Sequence, residues 1–205
     1  MMLIYASDLI SVSLKFFFLL TPFFVLSMFL SVTKDFSAGQ RRNLALKVTM
    51  AALIACLVIL LFGRWIFDIF GITLNAFRIG GGVLLFLSAI QLVNGAAEKV
   101  RNKSTSPDND IAVVPLAIPV TVGPATTGAL MIMGADAASV SSLLLYSGGL
   151  LIAHAALFFI LRGSNFVERI LKHQGIVILS KLTGLILAAL AAEMIFSGAK
   201  GFWQQ

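Results

Sequence analysis

Three prolines and three threonines crowd the start of the apolar stretch PLAIPVTVGPATTGALMIMG, residues 115 to 134. A proline has no backbone N–H, clashes with the carbonyl four residues back and disfavours helical geometry in the residue before it. Pro119 and the pair Gly123-Pro124 therefore predict a break near the middle of an apolar helix. In hydrocarbon a freed backbone N–H or carbonyl costs several kcal/mol unless bonded, so such a break is tolerated only inside protein or beside a polar cavity. Thr121, Thr126 and Thr127 supply hydroxyls at that place, and Thr21-Pro22, followed by Ser27, offers a matching break in the first apolar run. A restarting helix presents unpaired N–H groups and a partial positive charge, which suit a carboxylate or phosphate. The chemistry this predicts is binding. Two restarts facing each other would hold an anionic group, with Thr21, Pro22, Pro119, Thr121, Gly123, Pro124, Thr126 and Thr127 around it.

A second set of residues could carry ions. His154 lies near the middle of one apolar run and Glu193 near the end of another. A charge at the bilayer centre costs about 2.5–3.5 kcal/mol, so such residues face a cavity or a partner. His154 and Glu193 are candidates for coupling to H+ or Na+, with Gln91 and Asn94 as polar companions. Interhelical hydrogen bonds for His154, Gln91 and Asn94, and a Glu193–Lys200 pair, are the competing structural roles. No cofactor is expected. The pair Ser147 and His154 in SGGLLIAHAA has no G-x-S-x-G elbow and no third partner, so a hydrolytic nucleophile is not supported and no enzyme is expected.

The elements that must position these residues follow from composition. Of 205 residues 59% are hydrophobic and 12% charged, against roughly 25% charged in a soluble domain. Apolar runs of the length that crosses a ~30 Å core fall at about 9–32, 46–67, 73–96, 111–134, 141–162 and 176–198. They predict an all-α integral membrane protein of six helices, with TKDFSAGQRRN, DIFGI, EKVRNKSTSPDND, GADAAS and RGSNFVERILKHQ as connections. The net charge of +6 is dispersed and forms no stripe for nucleic acid. Basic residues concentrate in the first, third and fifth connections, which marks those as cytoplasmic and puts both termini on the periplasmic side. The lone Cys56 excludes an internal disulfide and any CxxC motif.

The chain also repeats itself. FRIGGGVLLFLSAIQLVNGA (77–96) aligns without a gap on SKLTGLILAALAAEMIFSGA (180–199), pairing Arg78 with Lys181, Gly81 with Gly184, Leu84 with Leu187 and Ala89 with Ala192. At nearly the same offset Pro22 meets Pro124. Residues 1–97 and 111–205 then form two three-helix repeats joined by a cytoplasmic linker at 98–110. An odd number of spans per repeat inverts the second copy, with helices 1 and 4 discontinuous. Inverted repeats with interrupted helices in matching positions point to a secondary transporter. The absence of G-x-x-x-x-G-K-[ST] leaves an ion or solute gradient as the energy source. An intramembrane enzyme or a structural membrane protein without a solute path is the alternative.

VVPLAIPVTVGPATTGALMI resembles the signature of the MarC family of six-span bacterial inner-membrane proteins, also grouped as neutral amino acid transporters. FRIGGGVLLFLSAIQLVNG and GLILAALAAEMIFSGAKG are similar to that family's third and last helices. In many of its members the first span carries N-P-x-G-x-x-P; Thr21, Pro22, Phe24 and Ser27 stand at the matching positions, and Pro22 alone keeps the pattern. The resemblance implies a multi-pass inner-membrane carrier whose partners are lipid and a small solute such as glycine or alanine. Sodium or proton coupling is implied with it. A homo-oligomer is left open, since no helix face announces a dimer surface.

Overall fold

The computed structural model describes residues 2–33, 36–94, 121–137 and 139–203. Seven helices follow in chain order: α1 (Met2–Leu19), α2 (Pro22–Val32), α3 (Ala38–Phe70), α4 (Leu74–Val93), α5 (Pro124–Asp136), α6 (Val140–Arg162) and α7 (Ser164–Trp203). Among the described residues there is no strand. Four helices hold a continuous stretch long and apolar enough to cross a membrane: Ala38–Gly63 of α3, Leu74–Val93, Val140–Arg162 and Gln174–Trp203 of α7. The pair Ser7–Leu19 and Pro22–Val32, bent by 44° at its break, makes a fifth if the two pieces form one span. Of the fourth expected span, residues 111–120 and with them Pro119 lie outside the described residues. Its second part, α5, has 13 residues, about 20 Å of helix, and is too short to span alone.

Two expectations are corrected. The helix expected to begin near 46 begins at Ala38, because Ser37 and Gln40 form a reciprocal capping box: Gln40 N–H donates to Ser37 Oγ at 3.3 Å, and Ser37 N–H donates to Gln40 Oε1 at 2.8 Å. The fifth connection, expected as a loop, is helical from Ser164 onward. It departs from helical geometry at Lys172, whose φ of 51° and ψ of 174° separate residues 164–171 from the long span. Other boundaries follow local rules. Thr73 caps α4 through the Ala76 N–H, Ser139 caps α6 through the Ser142 N–H, and Gly71 ends α3 at φ 61°, a conformation that costs glycine nothing.

The apolar surface is turned outward as well as inward. Phe62, Trp65, Ile69, Phe159, Phe196 and Trp203 are each more than half exposed, a surface that suits contact with lipid. Several hydroxyls within the helices are turned back on their own backbone. Ser13, Thr33 and Thr183 donate to Leu9, Phe29 and Leu179 carbonyls at 2.6, 2.8 and 2.9 Å, four residues earlier in each case, which keeps a hydroxyl bonded without a partner helix.

The helices pack between halves of the chain. Apart from α6 on α7, every substantial contact among the described residues joins α1–α4 to α5–α7: α4 with α7, α1 with α6, α3 with α5, α4 with α5, α3 with α6 and α2 with α7. Without a hydrophobic force between helices in lipid, close approach through small residues carries the packing. A Cβ at Gly82 would lie 3.0 Å from the Ala191 carbonyl oxygen, and one at Gly184 would lie 2.9 Å from the Ala89 carbonyl oxygen. One at Gly134 would run into the Leu60 carbonyl. Gly134→Ala is therefore expected to overpack the α3–α5 contact by about 1–3 kcal/mol and to lower the thermal midpoint in detergent. Gly80→Ala, with nothing within 4 Å, is expected to leave that midpoint unchanged or raise it.

Candidate functional site

The first expected break is present, with α1 ending at Leu19 and α2 starting at Pro22; of the second the described residues include only the restart, α5 beginning at Pro124, and in both cases a proline stands at the first helical position. Thr21 precedes Pro22 in the left-handed conformation, φ 48° and ψ 55°. For a β-branched residue this is a strained state, costing roughly 1–2 kcal/mol. Gly123, extended at φ −81° and ψ 173°, precedes Pro124. Around the first break the backbone closes partly on itself: Leu20 N–H donates to Phe16 O at 2.9 Å, and Thr21 N–H donates to Phe18 O at 3.0 Å. The Leu19 carbonyl belongs to the set that the interruption leaves without the usual helical donor.

That carbonyl is bonded from the other half of the chain. Thr126 Oγ1, in the first turn of α5, donates to Leu19 O at 3.0 Å in a buried contact spanning 107 positions of sequence. Thr126 thus departs from the pattern of Ser13, Thr33 and Thr183, whose hydroxyls serve their own helices. The two breaks are neighbours, but the geometry differs from two facing restarts: the carbonyl end of α1 meets the first turn of α5. Thr121 is fully buried at the same junction, and Thr21 and Thr127 are half-buried.

A cavity of about 290 Å³ adjoins this junction. Leu19 and Ala129 contribute to its wall, and five helices bring polar groups to it: Lys15 from α1, Arg78 from α4, Asp136 from α5, Tyr146 from α6 and Glu193 from α7. Arg78 and Asp136 form an ion pair between α4 and α5. Lys15, Asp136 and Glu193 are exposed, so the cavity communicates with the surface. Its four charges balance, two basic against two acidic. A larger groove of about 340 Å³ between α1 and α6, lined by Leu9, Ile10, Ser13, Phe17, Ile152 and Ala153 among others, offers a polar solute nothing but the Ser13 hydroxyl, already bonded to Leu9.

The other expected residues are dispersed. Glu193 lines the cavity, and no ion pair joins it to Lys200 among the described residues. His154 is 2% exposed, its Nδ1 lies 2.9 Å from the Leu150 carbonyl, and it is not part of the cavity wall. Its Nε2 is buried with no hydrogen-bond partner among the described residues. Gln91 and Asn94 are exposed on α4 and at its end, away from the cavity. Sequence reasoning passed over Lys15, Asp136 and Tyr146, which share no motif and come from three different helices. Among the described residues no group of three or more His, Cys, Asp or Glu is placed to hold a metal ion.

The family profile described as MarC family integral membrane protein matches residues 6–203. The chain is 34% identical to the UPF0056 membrane protein MJ1677 of Methanocaldococcus jannaschii over 90% of its own length and 92% of that relative. It is 29% identical to the UPF0056 membrane protein YvbG of Bacillus subtilis over 96% of both chains. It is also 29% identical to the UPF0056 membrane protein YhcE of Escherichia coli over 91% of this chain and 89% of that one. No solved structure matches it.

Two substitutions test the junction. Thr126→Val leaves the Leu19 carbonyl unbonded and is expected to cost about 1–3 kcal/mol, read as a lower thermal midpoint, whereas Thr126→Ser keeps the donor and most of the stability. Thr21→Asn is expected to raise the midpoint, worth about 1 kcal/mol, because asparagine enters the left-handed region more readily.

Proposed function

The chain belongs to the MarC family of integral membrane proteins, and on that premise we propose that it is a secondary transporter of a small solute. The observation that carries this reading is the Thr126–Leu19 hydrogen bond, which ties the broken end of α1 to the first turn of α5 beside a polar cavity open to the surface. Interrupted backbone inside a bilayer is tolerated where it is buried in protein or lines a polar cavity, and here a polar cavity adjoins it. The solute is a neutral amino acid such as glycine or alanine, whose single carboxylate and ammonium match a cavity with balanced charges. Driven by a proton or sodium gradient, it moves by alternating access. Glu193, an acid on the cavity wall, is the coupling residue.

Two inverted repeats of three spans each, residues 1–97 and 111–205 with the linker at 98–110, give this transporter six spans in a bacterial inner membrane and periplasmic termini. The packing supports the repeat. Let α1 with α2, α3 and α4 exchange with α5, α6 and α7. The contact of α1 with α6 then maps onto that of α5 with α3, and α4 with α5 maps onto α7 with α2. The pairs α4 with α7 and α3 with α6 map onto themselves. The glycine seats reciprocate too: Gly82 sits against Ala191 and Gly184 against Ala89, within a residue of the sequence alignment.

Uptake into liposomes tests the reading. Purified protein is expected to accumulate radiolabelled glycine or alanine under an imposed proton or sodium gradient, and Glu193→Gln is expected to slow that uptake at least tenfold. Absence of flux for both solutes under both gradients defeats the amino acid assignment.

A further inference from the structure

We infer that the protein has a second solute-accessible cavity, closed in this structure, on the opposite face of the membrane from the cavity at Arg78 and Asp136. The inference rests on the repeat reading above. The open cavity lies on one side of the helix breaks, and a pair of inverted repeats that exchange conformations builds its counterpart from the matching residues of the other half. The alignment that pairs Arg78 with Lys181 pairs Leu85 with Ala188, and the one that pairs Pro22 with Pro124 pairs Leu19 with Thr121 and Ala129 with Ser27. Thr121, Ser27, Ala188 and Lys181 are thus the wall of the second cavity.

Buried hydroxyls stand on these helices. Ser27 and Thr121 are buried, as are Leu26 and Phe29 of α2 and Ile176 and Leu187 of α7, each of these four 2% exposed or less. Ser180, one residue before Lys181 in α7, is 3% exposed, and its Oγ has no hydrogen-bond partner among the described residues. A buried hydroxyl without a partner is a standing cost of folding, which water entering beside it removes. Helices α2 and α7, which carry Ser27 and Ser180, pack on one another, as α5 packs on α4 at the open cavity. Lys181 is exposed at the rim, where Arg78 stands in the other half. The second mouth lies toward the Arg41 and Arg169 end of the bundle, since α4 and α7 run antiparallel with Gly82 beside Ala191 and Gly184 beside Ala89.

Thiol labelling in sealed vesicles tests this without knowledge of the solute. The unsubstituted protein gives the background of a buried thiol, because its one cysteine, Cys56, is 0% exposed. Ser197→Cys reports on the open cavity, whose wall includes Ser197, and Ser27→Cys and Ser180→Cys report on the closed one. With a membrane-impermeant methanethiosulfonate, Ser197→Cys is expected to react from one face. Ser27→Cys and Ser180→Cys are expected to react from the other, at least tenfold above the Cys56 background. If both latter variants stay at background while Ser197→Cys reacts, or if they react from the same face as Ser197→Cys, the second cavity does not exist. Glycine or alanine flux with that result leaves the transporter reading standing and removes this one. Opposite-face labelling without flux establishes the second cavity and removes the amino acid assignment.

Discussion

A backbone carbonyl surrounded by hydrocarbon has to be bonded, and the arrangement of this protein around its two prolines follows from that demand. Pro22 interrupts the first span and frees the carbonyls of its last turn. The donor that reaches Leu19 comes from protein, a threonine in the first turn of α5. The bond places the breaks side by side. It also ties the first turn of α5 to the last turn of α1.

Close packing through glycine serves the same end by a different route. Lipid tails are as apolar as leucine, so helices are held by how near their backbones come. Gly82, Gly134 and Gly184 each let a backbone carbonyl of a neighbouring helix approach to a distance that a methyl group would block. The contacts they make all run between the first four helices and the last three. The cavity at Arg78 and Asp136 is what remains where α1, α4, α5, α6 and α7 converge without filling the space between them.

Much of this was legible in residue order because proline acts locally. Thr21-Pro22 broke its helix where the sequence placed the break, and Pro124 starts α5 as the sequence placed it, since a missing N–H depends on no tertiary partner. The start of α3 was legible too, and was missed: SAGQ carries a capping-box spacing, which the basic residues after it made look like a loop. The break at Lys172 had no signal, for neither glycine nor proline stands there. The cavity was beyond reading for another reason. Lys15, Arg78, Asp136, Tyr146 and Glu193 come from five helices, and only the way those helices cross brings the charges together. His154 illustrates the converse. Its intramembrane position drew attention, yet its ring is turned to the carbonyl of its own helix.

The cross-wise packing of the halves bears on how the protein is made. Helices α1 to α4 leave the ribosome first and have few partners among themselves. They must wait in the bilayer, solvated by lipid, until residues 124–203 have been synthesised. Assembly is then a late event in which the second half threads into gaps held open by acyl chains, and a chain truncated after α4 would be inserted without being folded.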